Sequence, residues 1–370
     1  MSKHTIHLDS PNLGDLEKEY LIKCIDSGFV STYGPFVPEF EKKFANFLNC
    51  SVAVSVQSGT AGLHMAIYEL GIGEGDEVII PALTFVSTAN AVKYVGAKPV
   101  FADVDPITWN IDPNSIRKLV NKKTKAIIAV HLYGNPCSMD EILTISRQNN
   151  LFLIEDATES LGSKYMGQAT GNFGDFGVFS FNGNKIITTG GGGMIVGKNN
   201  IQIEHIRFLV NQAGDKKKGN FHSEIGFNLR MTNLEASLGL AQFKRLNEFL
   251  QKKKRIRDIY FDSFENITEV RLQQAYDKSE VIWWLNSVII DTQKIDKNII
   301  EIQQEMQRKG FPVRRIFMPL IESPPYFEND KKAYSNAFAI YKNGLSLPSS
   351  TLNSDKNIEL SAKALLECLR

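Results

Sequence analysis

The 370-residue chain is poor in the features that would assign it quickly. Its four cysteines, Cys24, Cys50, Cys137 and Cys368, are scattered with no pair at zinc or redox spacing. That excludes a disulfide-built scaffold, points to buried reduced thiols and leaves no metal site to propose. No apolar run approaches the roughly 20 residues of a membrane span; residues 126–130 and 281–285 are among the longest. The N-terminus, residues 1–7, lacks the apolar stretch and small-residue cleavage site of a secretory leader, so a cytoplasmic location is expected. Net charge is nearly absent, with 42 Lys and Arg against 41 Asp and Glu. No bulk field therefore favours nucleic acid or an anionic membrane, and an anionic ligand would need a local site. What remains is an ordinary globular composition, 43% hydrophobic with 27 Gly and 13 Pro, at a length suited to about two domains.

Short apolar runs rich in β-branched residues alternate with helical patterns through the first two thirds of the chain. They fall at 52–56, 77–80, 98–101, 126–130, 151–154 and 178–181. Such alternation predicts an α/β fold, a largely parallel sheet covered on both faces, with ligands at the carboxyl ends of its strands. Candidate functional residues should then directly follow the runs, as do Ser58-Gly59-Thr60, Pro81 to Phe85, Asp156, and Asn182 to Lys185. A basic helical stretch at 243–260, carrying Lys252 to Arg255, marks a change of pattern. The expected division is a large domain, 1–247, and a smaller α+β domain, 248–370, with a strand at 281–290 and helices at 299–309 and 358–369. The lysine runs at 216–218 and 252–255 read as solvated surface.

One acid and one amine carry the chemistry. The apolar run 151–154 delivers Asp156 to a strand end, and 29 residues later the turn Asn182-Gly183-Asn184 presents Lys185 ahead of four consecutive glycines, Gly190 to Gly193. An aldehyde cofactor such as pyridoxal 5′-phosphate needs an amine to condense with, a carboxylate for its ring nitrogen, a cradle for its phosphate and a surface for its ring. Ser58-Gly59-Thr60, opening a helix at 61–70, offers free N–H groups to an anion, Ser180 adds a hydroxyl, and Phe85 is the candidate stacking surface. The glycine run lacks the Gly-x-Gly-x-x-Gly opening of a dinucleotide fold; it lets backbone pass close to a cofactor and enter a strand at 194–196.

Ser58-Gly59-Thr60-Ala61, Pro81-Ala82-Leu83-Thr84-Phe85, His131-Leu132-Tyr133-Gly134, Ile154-Glu155-Asp156-Ala157, Phe181-Asn182-Gly183-Asn184-Lys185 and Gly226-Phe227-Asn228-Leu229-Arg230-Met231 together resemble the nucleotide-sugar aminotransferases of the DegT/DnrJ/EryC1/StrS family. The likeness extends over nearly the whole chain. It implies the aspartate aminotransferase type I fold and a homodimer whose active sites lie at the subunit interface. It further implies that Lys185 holds pyridoxal phosphate and Asp156 pairs with the ring nitrogen. Gly59, Thr60 and Ser180 would bind the phosphate, Phe85 would stack on the ring, and Glu159 would stand near the phenolic oxygen. Asn228 would reach the phosphate from the partner subunit. Because Lys185 is kept where one branch of the family has histidine, transamination from L-glutamate is the implied reaction.

For the acceptor, the phrases at 182–189 and Trp284-Leu285-Asn286 resemble enzymes that aminate UDP-4-keto-6-deoxy-N-acetylhexosamines for bacterial surface glycans. Residues 131–137 and 230–233 are as similar to GDP-perosamine synthases, which act on GDP-4-keto-6-deoxymannose. The UDP sugar is the leading expectation and the GDP sugar the alternative. Elimination or epimerisation on the same cofactor, or a silent ligand-binding relative, are rivals; the joint presence of Lys185, Asp156 and Thr60 argues against silence. The loop at 314–320 departs from an Arg-Pro-x-Phe-Tyr-Pro-x-His pattern of relatives, with Ile321 in the histidine's place. His131 reads as a structural hydrogen-bonder, with packing beside the cofactor as the alternative. His205 and His222 read as surface, Met231 as packing, and Trp283 and Trp284 as core of the small domain.

Overall fold

Seven strands form the central sheet of the computed structural model, which describes residues 5–215, 218, 219 and 221–370. They are β1 Ala53–Val56, β2 Glu77–Pro81, β3 Lys98–Ala102, β4 Thr124–Val130, β5 Phe152–Asp156, β6 Phe176–Ser180 and β7 Gly193–Gly197. Their spatial order is β1-β7-β6-β5-β4-β2-β3. Pairing is parallel throughout except at β7, which runs antiparallel to both β1 and β6. The carboxyl ends of β1, β2, β5 and β6 therefore share one edge, joined there by the amino end of β7. Runs such as Ala126 to Val130 and Leu153 to Ile154 are buried on both faces, which is why they carry no polar alternation. Each fully buried Ile, Val or Leu contributes about 1.5–3 kcal/mol of hydrophobic stabilisation.

Before the sheet come α1 (Asp15–Asp26) and α2 (Phe36–Leu48), and between β1 and β2 comes α3 (Gly59–Glu69). Ser58 starts α3 by accepting the Ala61 N–H on Oγ at 3.1 Å. Gly62 lets the helix sit hard against the sheet, since a Cβ there would lie 2.6 Å from Val178 Cγ1. After β7, α4 (Asn233–Lys244), opened by a capping box between Thr232 and Glu235, leads into α5 (Leu246–Phe264).

The C-terminal part has an antiparallel sheet of β8 Val270–Leu272, β9 Asn286–Ile290, β10 Arg314–Arg315 and β11 Gly344–Leu347, in the order β8-β9-β11-β10. It packs with α5, α6 (Ile299–Arg308) and α7 (Asp355–Cys368) around a core of its own, drawn from Ile256 onward. Trp284, Leu285, Ile316 and Ile321 instead join the main core. We propose that the two units divide at the start of α5, whose first turn contains the expected boundary at 247/248.

Three expectations need correction. The strand expected at 281–290 begins only at Asn286, because 281–285 packs against the 131–134 turn, where the Trp284 N–H donates to the Tyr133 carbonyl at 2.9 Å. The basic run of α5 is not all solvated. Lys252 and Arg255 pair with Asp355 at 2.6 and 2.9 Å, but Lys253 is buried, on the same helical stripe as Phe249, Ile256 and Tyr260. His205 is half-buried between Glu69, at 2.6 Å, and Glu224, at 3.1 Å, rather than free at the surface. In the other run, Lys216 and Lys217 lie outside the described residues, as do residues 1–4.

Candidate active site

The shared strand edge opens on a cavity of about 460 Å³, within the range of ligand pockets. Of the residues singled out in the sequence, Gly59, Thr60, Phe85, Glu159, Ser180 and Lys185 line it. Asp156 lies buried at the end of β5 beneath the lining residue Thr158. Asn228 does not line this cavity. It stands on the extended segment after the 221–222 strand, bridged to Asn211.

Lys185 follows a turn closed by its own N–H on the Asn182 carbonyl at 3.0 Å. Its Nζ lies 3.4 Å from Glu159 Oε1 and 3.9 Å from the centre of the Trp284 ring. The Glu159 carboxyl is aimed by the Tyr133 N–H, which donates to Oε2 at 2.8 Å. Burial raises the Glu159 pKa, opposed by the Lys185 charge and assisted by that of Asp156. Both oxygens of Asp156 are fixed by threonines: Thr88 Oγ1 donates to Oδ2 at 2.8 Å and Thr158 Oγ1 to Oδ1 at 2.7 Å.

The first turn of α3 brings the orphan N–H groups and positive pole of a helix to the cavity at Gly59 and Thr60. Backbone packing here tolerates no side chain. A Cβ on Gly59 would lie 2.9 Å from Thr158 Cγ2 and 3.0 Å from Ser180 Cβ, and one on Gly193 would meet the Ser58 carbonyl carbon at 2.7 Å. Phe85 is 54% exposed and tilts against Phe317 at 5.8 Å, and Phe317 stacks on Tyr133 at 5.4 Å.

Several lining or supporting residues escaped the sequence reading. Thr88 and Thr158 are among them, although Thr158, two residues after Asp156, carried the local signal of an Asx-type turn. Trp284, read as core of the small domain, belongs instead to the main core, 2% exposed and with its ring face on Lys185. Arg314 and Phe317 come from the divergent loop. Arg314 and Asn184 share one carboxylate, Asp9 Oδ2, at 3.0 and 2.9 Å. Ile321 is fully buried, so the histidine's place is here a core position. His131 is structural, its Nε2 3.0 Å from Glu155 Oε2 and its Nδ1 accepting the Cys137 N–H.

An amine, a buried carboxylate and a helix-terminal anion cradle around one cavity define an enzyme site for a phosphorylated aldehyde cofactor. The family comparison agrees: the chain belongs to the DegT/DnrJ/EryC1/StrS aminotransferase family, which matches residues 11–365. It is 39% identical to a GDP-perosamine synthase from Escherichia coli O157:H7 over 92% of each chain. It is 36% identical to a GDP-perosamine synthase from Caulobacter vibrioides over 98% of each. It superposes on Spr1654 of Streptococcus pneumoniae in its PLP form with a TM-score of 0.91 at 26% identity, covering 99% of this chain and 100% of that one. The chain is thus a sugar aminotransferase of the pyridoxal phosphate class, with the fold its sequence implied. The donor set fits that cofactor: one amine for its aldehyde, one acid, and a glycine-walled helix terminus for its phosphate.

Proposed function

We propose that the chain moves an amino group from L-glutamate to C4 of GDP-4-keto-6-deoxymannose, as a homodimer acting in the cytoplasm. The names of the two GDP-perosamine synthases, matched over almost their full length, support the guanosine nucleotide over the UDP-linked N-acetylhexosamine expected first. The observation that carries the reading is the convergence of Lys185, Asp156 and the α3 terminus on one cavity.

When bound, pyridoxal phosphate supplies an aldehyde for the donor's nitrogen and a cationic ring that takes up the electron pair freed at carbon. In this reading Gly59 and Thr60 donate N–H groups to the phosphate, with the Ser180 hydroxyl beside them. Asp156, aimed by Thr88 and Thr158, holds the proton on the ring nitrogen, and Phe85 covers the ring face. The Lys185 Nζ is the base that takes the proton from the donor's Cα, and in the second half of the cycle it gives one to C4 of the sugar. Trp284, Phe317 and Arg314 line the cavity. Asn228 would complete the partner's phosphate site. Exposed Ile22, Ile25, Phe29 and Val30 supply apolar surface for that association.

The test is incubation with glutamate and a panel of GDP-, UDP- and dTDP-linked 4-keto-6-deoxysugars, read by mass spectrometry. Amination of the GDP sugar at least tenfold faster than the others is expected. Preferential amination of the UDP N-acetylhexosamine would restore the other acceptor, and elimination products would overturn the reaction class.

A further inference from the structure

Trp284 is tied at four points. Its backbone N–H donates to the Tyr133 carbonyl at 2.9 Å, and its carbonyl accepts from the buried Lys253 Nζ at 2.7 Å. The indole Nε1–H donates to the Asn184 carbonyl at 2.7 Å, one residue before Lys185. The ring face then receives the Lys185 ammonium itself, 3.9 Å from its centre. Lys253 is in turn committed to this arm, because its Nζ has the Trp284 and Ser349 carbonyls as partners and no carboxylate in ion-pair range among the described residues.

We infer that Trp284, anchored from α5 by Lys253, is a positioning residue for Lys185: when the amine is not linked to the cofactor, the indole holds it against its ring face beside the Glu159 carboxyl. An unbranched four-carbon side chain released into a cavity has many rotamers, and ordering it costs side-chain entropy. A π face at 3.9 Å and the Glu159 carboxyl at 3.4 Å restrict that freedom and hold Nζ at the cavity that Lys185 lines. The inference rests on Lys185 being the working amine, but the geometry it invokes belongs to this chain alone.

The experiment uses the full chain freed of cofactor with hydroxylamine, trace-acylated with acetic anhydride and digested for mass spectrometry. The rate at Lys185 is compared with the rate at exposed Lys122 in the same digest. A cation–π contact worth about 0.5–2 kcal/mol corresponds to about a two- to thirtyfold faster acylation of Lys185 in Trp284→Leu, with Lys122 unchanged. Trp284→Phe, which keeps a ring face, should fall between Leu and wild type. In the loaded enzyme it should lower kcat by a larger factor than it changes KM for the sugar. Should the Leu variant fail to fold, Phe carries the comparison. A Lys185 rate unmoved in Trp284→Phe and Trp284→Leu, or one rising in parallel with Lys122, overturns the inference. Failure of Lys185→Ala to abolish the visible absorption of the purified enzyme would instead sink the reading of Lys185, and leaves this labelling result standing or falling by itself.

Discussion

Lys253→Met should change the pH dependence of stability more than its magnitude at neutral pH. Burial without a carboxylate neighbour lowers the Lys253 pKa from 10.5 to about 7, against a weak opposing pull from Asp9. Between those two values the unfolded chain binds one more proton than the folded one, so wild-type stability rises with pH there. Below about pH 7 both states are protonated and the full destabilisation, about 5 kcal/mol, is present. Methionine fills the space without titrating, but it deprives the Trp284 and Ser349 carbonyls of a donor, at roughly 1–3 kcal/mol each. At pH 6 these opposing terms leave variant and wild type of similar stability. Toward pH 10 wild type should gain on the variant by about 1.4 kcal/mol per pH unit. Urea unfolding followed by circular dichroism from pH 6 to pH 10 measures the difference. A difference that stays flat across that range would refute the argument that this lysine is buried and carboxylate-free.

Asp156→Asn should lower turnover by about two to three orders of magnitude with the fold intact, since it removes the fixed charge aimed at the ring nitrogen; steady-state kinetics and circular dichroism check both halves. Gly59→Ala forces a Cβ against Thr158 and Ser180 and should destabilise the fold by about 1–3 kcal/mol, read by urea unfolding of the cofactor-free chain. Glu159→Gln should raise the melting temperature at pH 7: because burial raises the Glu159 pKa, ionising it in the folded protein is unfavourable at neutral pH, and that burden disappears once both states are protonated near pH 3. Gly134→Ala should destabilise by about 2–6 kcal/mol, because φ there is +98° and a Cβ would collide with the Ile282 carbonyl oxygen; thermal unfolding would show no loss if the 131–134 turn were loosely held.

The parallel sheet and the strand-end placement of Asp156, Ser180 and Ser58 were legible because each depends on a short stretch of chain. A doubly buried strand must be apolar along its length, and its carboxyl end is where that run stops, so position in sequence translates directly into position in the fold. The Lys185 turn is equally local, closed across three residues by one hydrogen bond. The glycine run was read as room for backbone to pass a cofactor; what Gly193 closely approaches in the structure is the Ser58 backbone, 2.7 Å from where a Cβ would stand.

The wall formed by Trp284 and Arg314 and the support of Asp156 were not legible, and the reason is distance along the chain. Trp284 reaches Asn184 across 100 residues, Arg314 reaches Asp9 across 305, and Thr88 reaches Asp156 across 68. No local periodicity encodes such pairs, and an aromatic that walls a cavity has the same sequence neighbourhood as one that fills a core. Lys253 was misread for a different reason, since four consecutive cations look solvated when counted. Plotted at 3.6 residues per turn, however, 253 shares a face with Phe249, Ile256 and Tyr260, while Lys252 and Arg255 turn outward to Asp355. Helical phase, rather than charge density, was the quantity that distinguished the buried lysine, and it follows that the anchor of the Trp284 arm was written in the sequence although its partner was not.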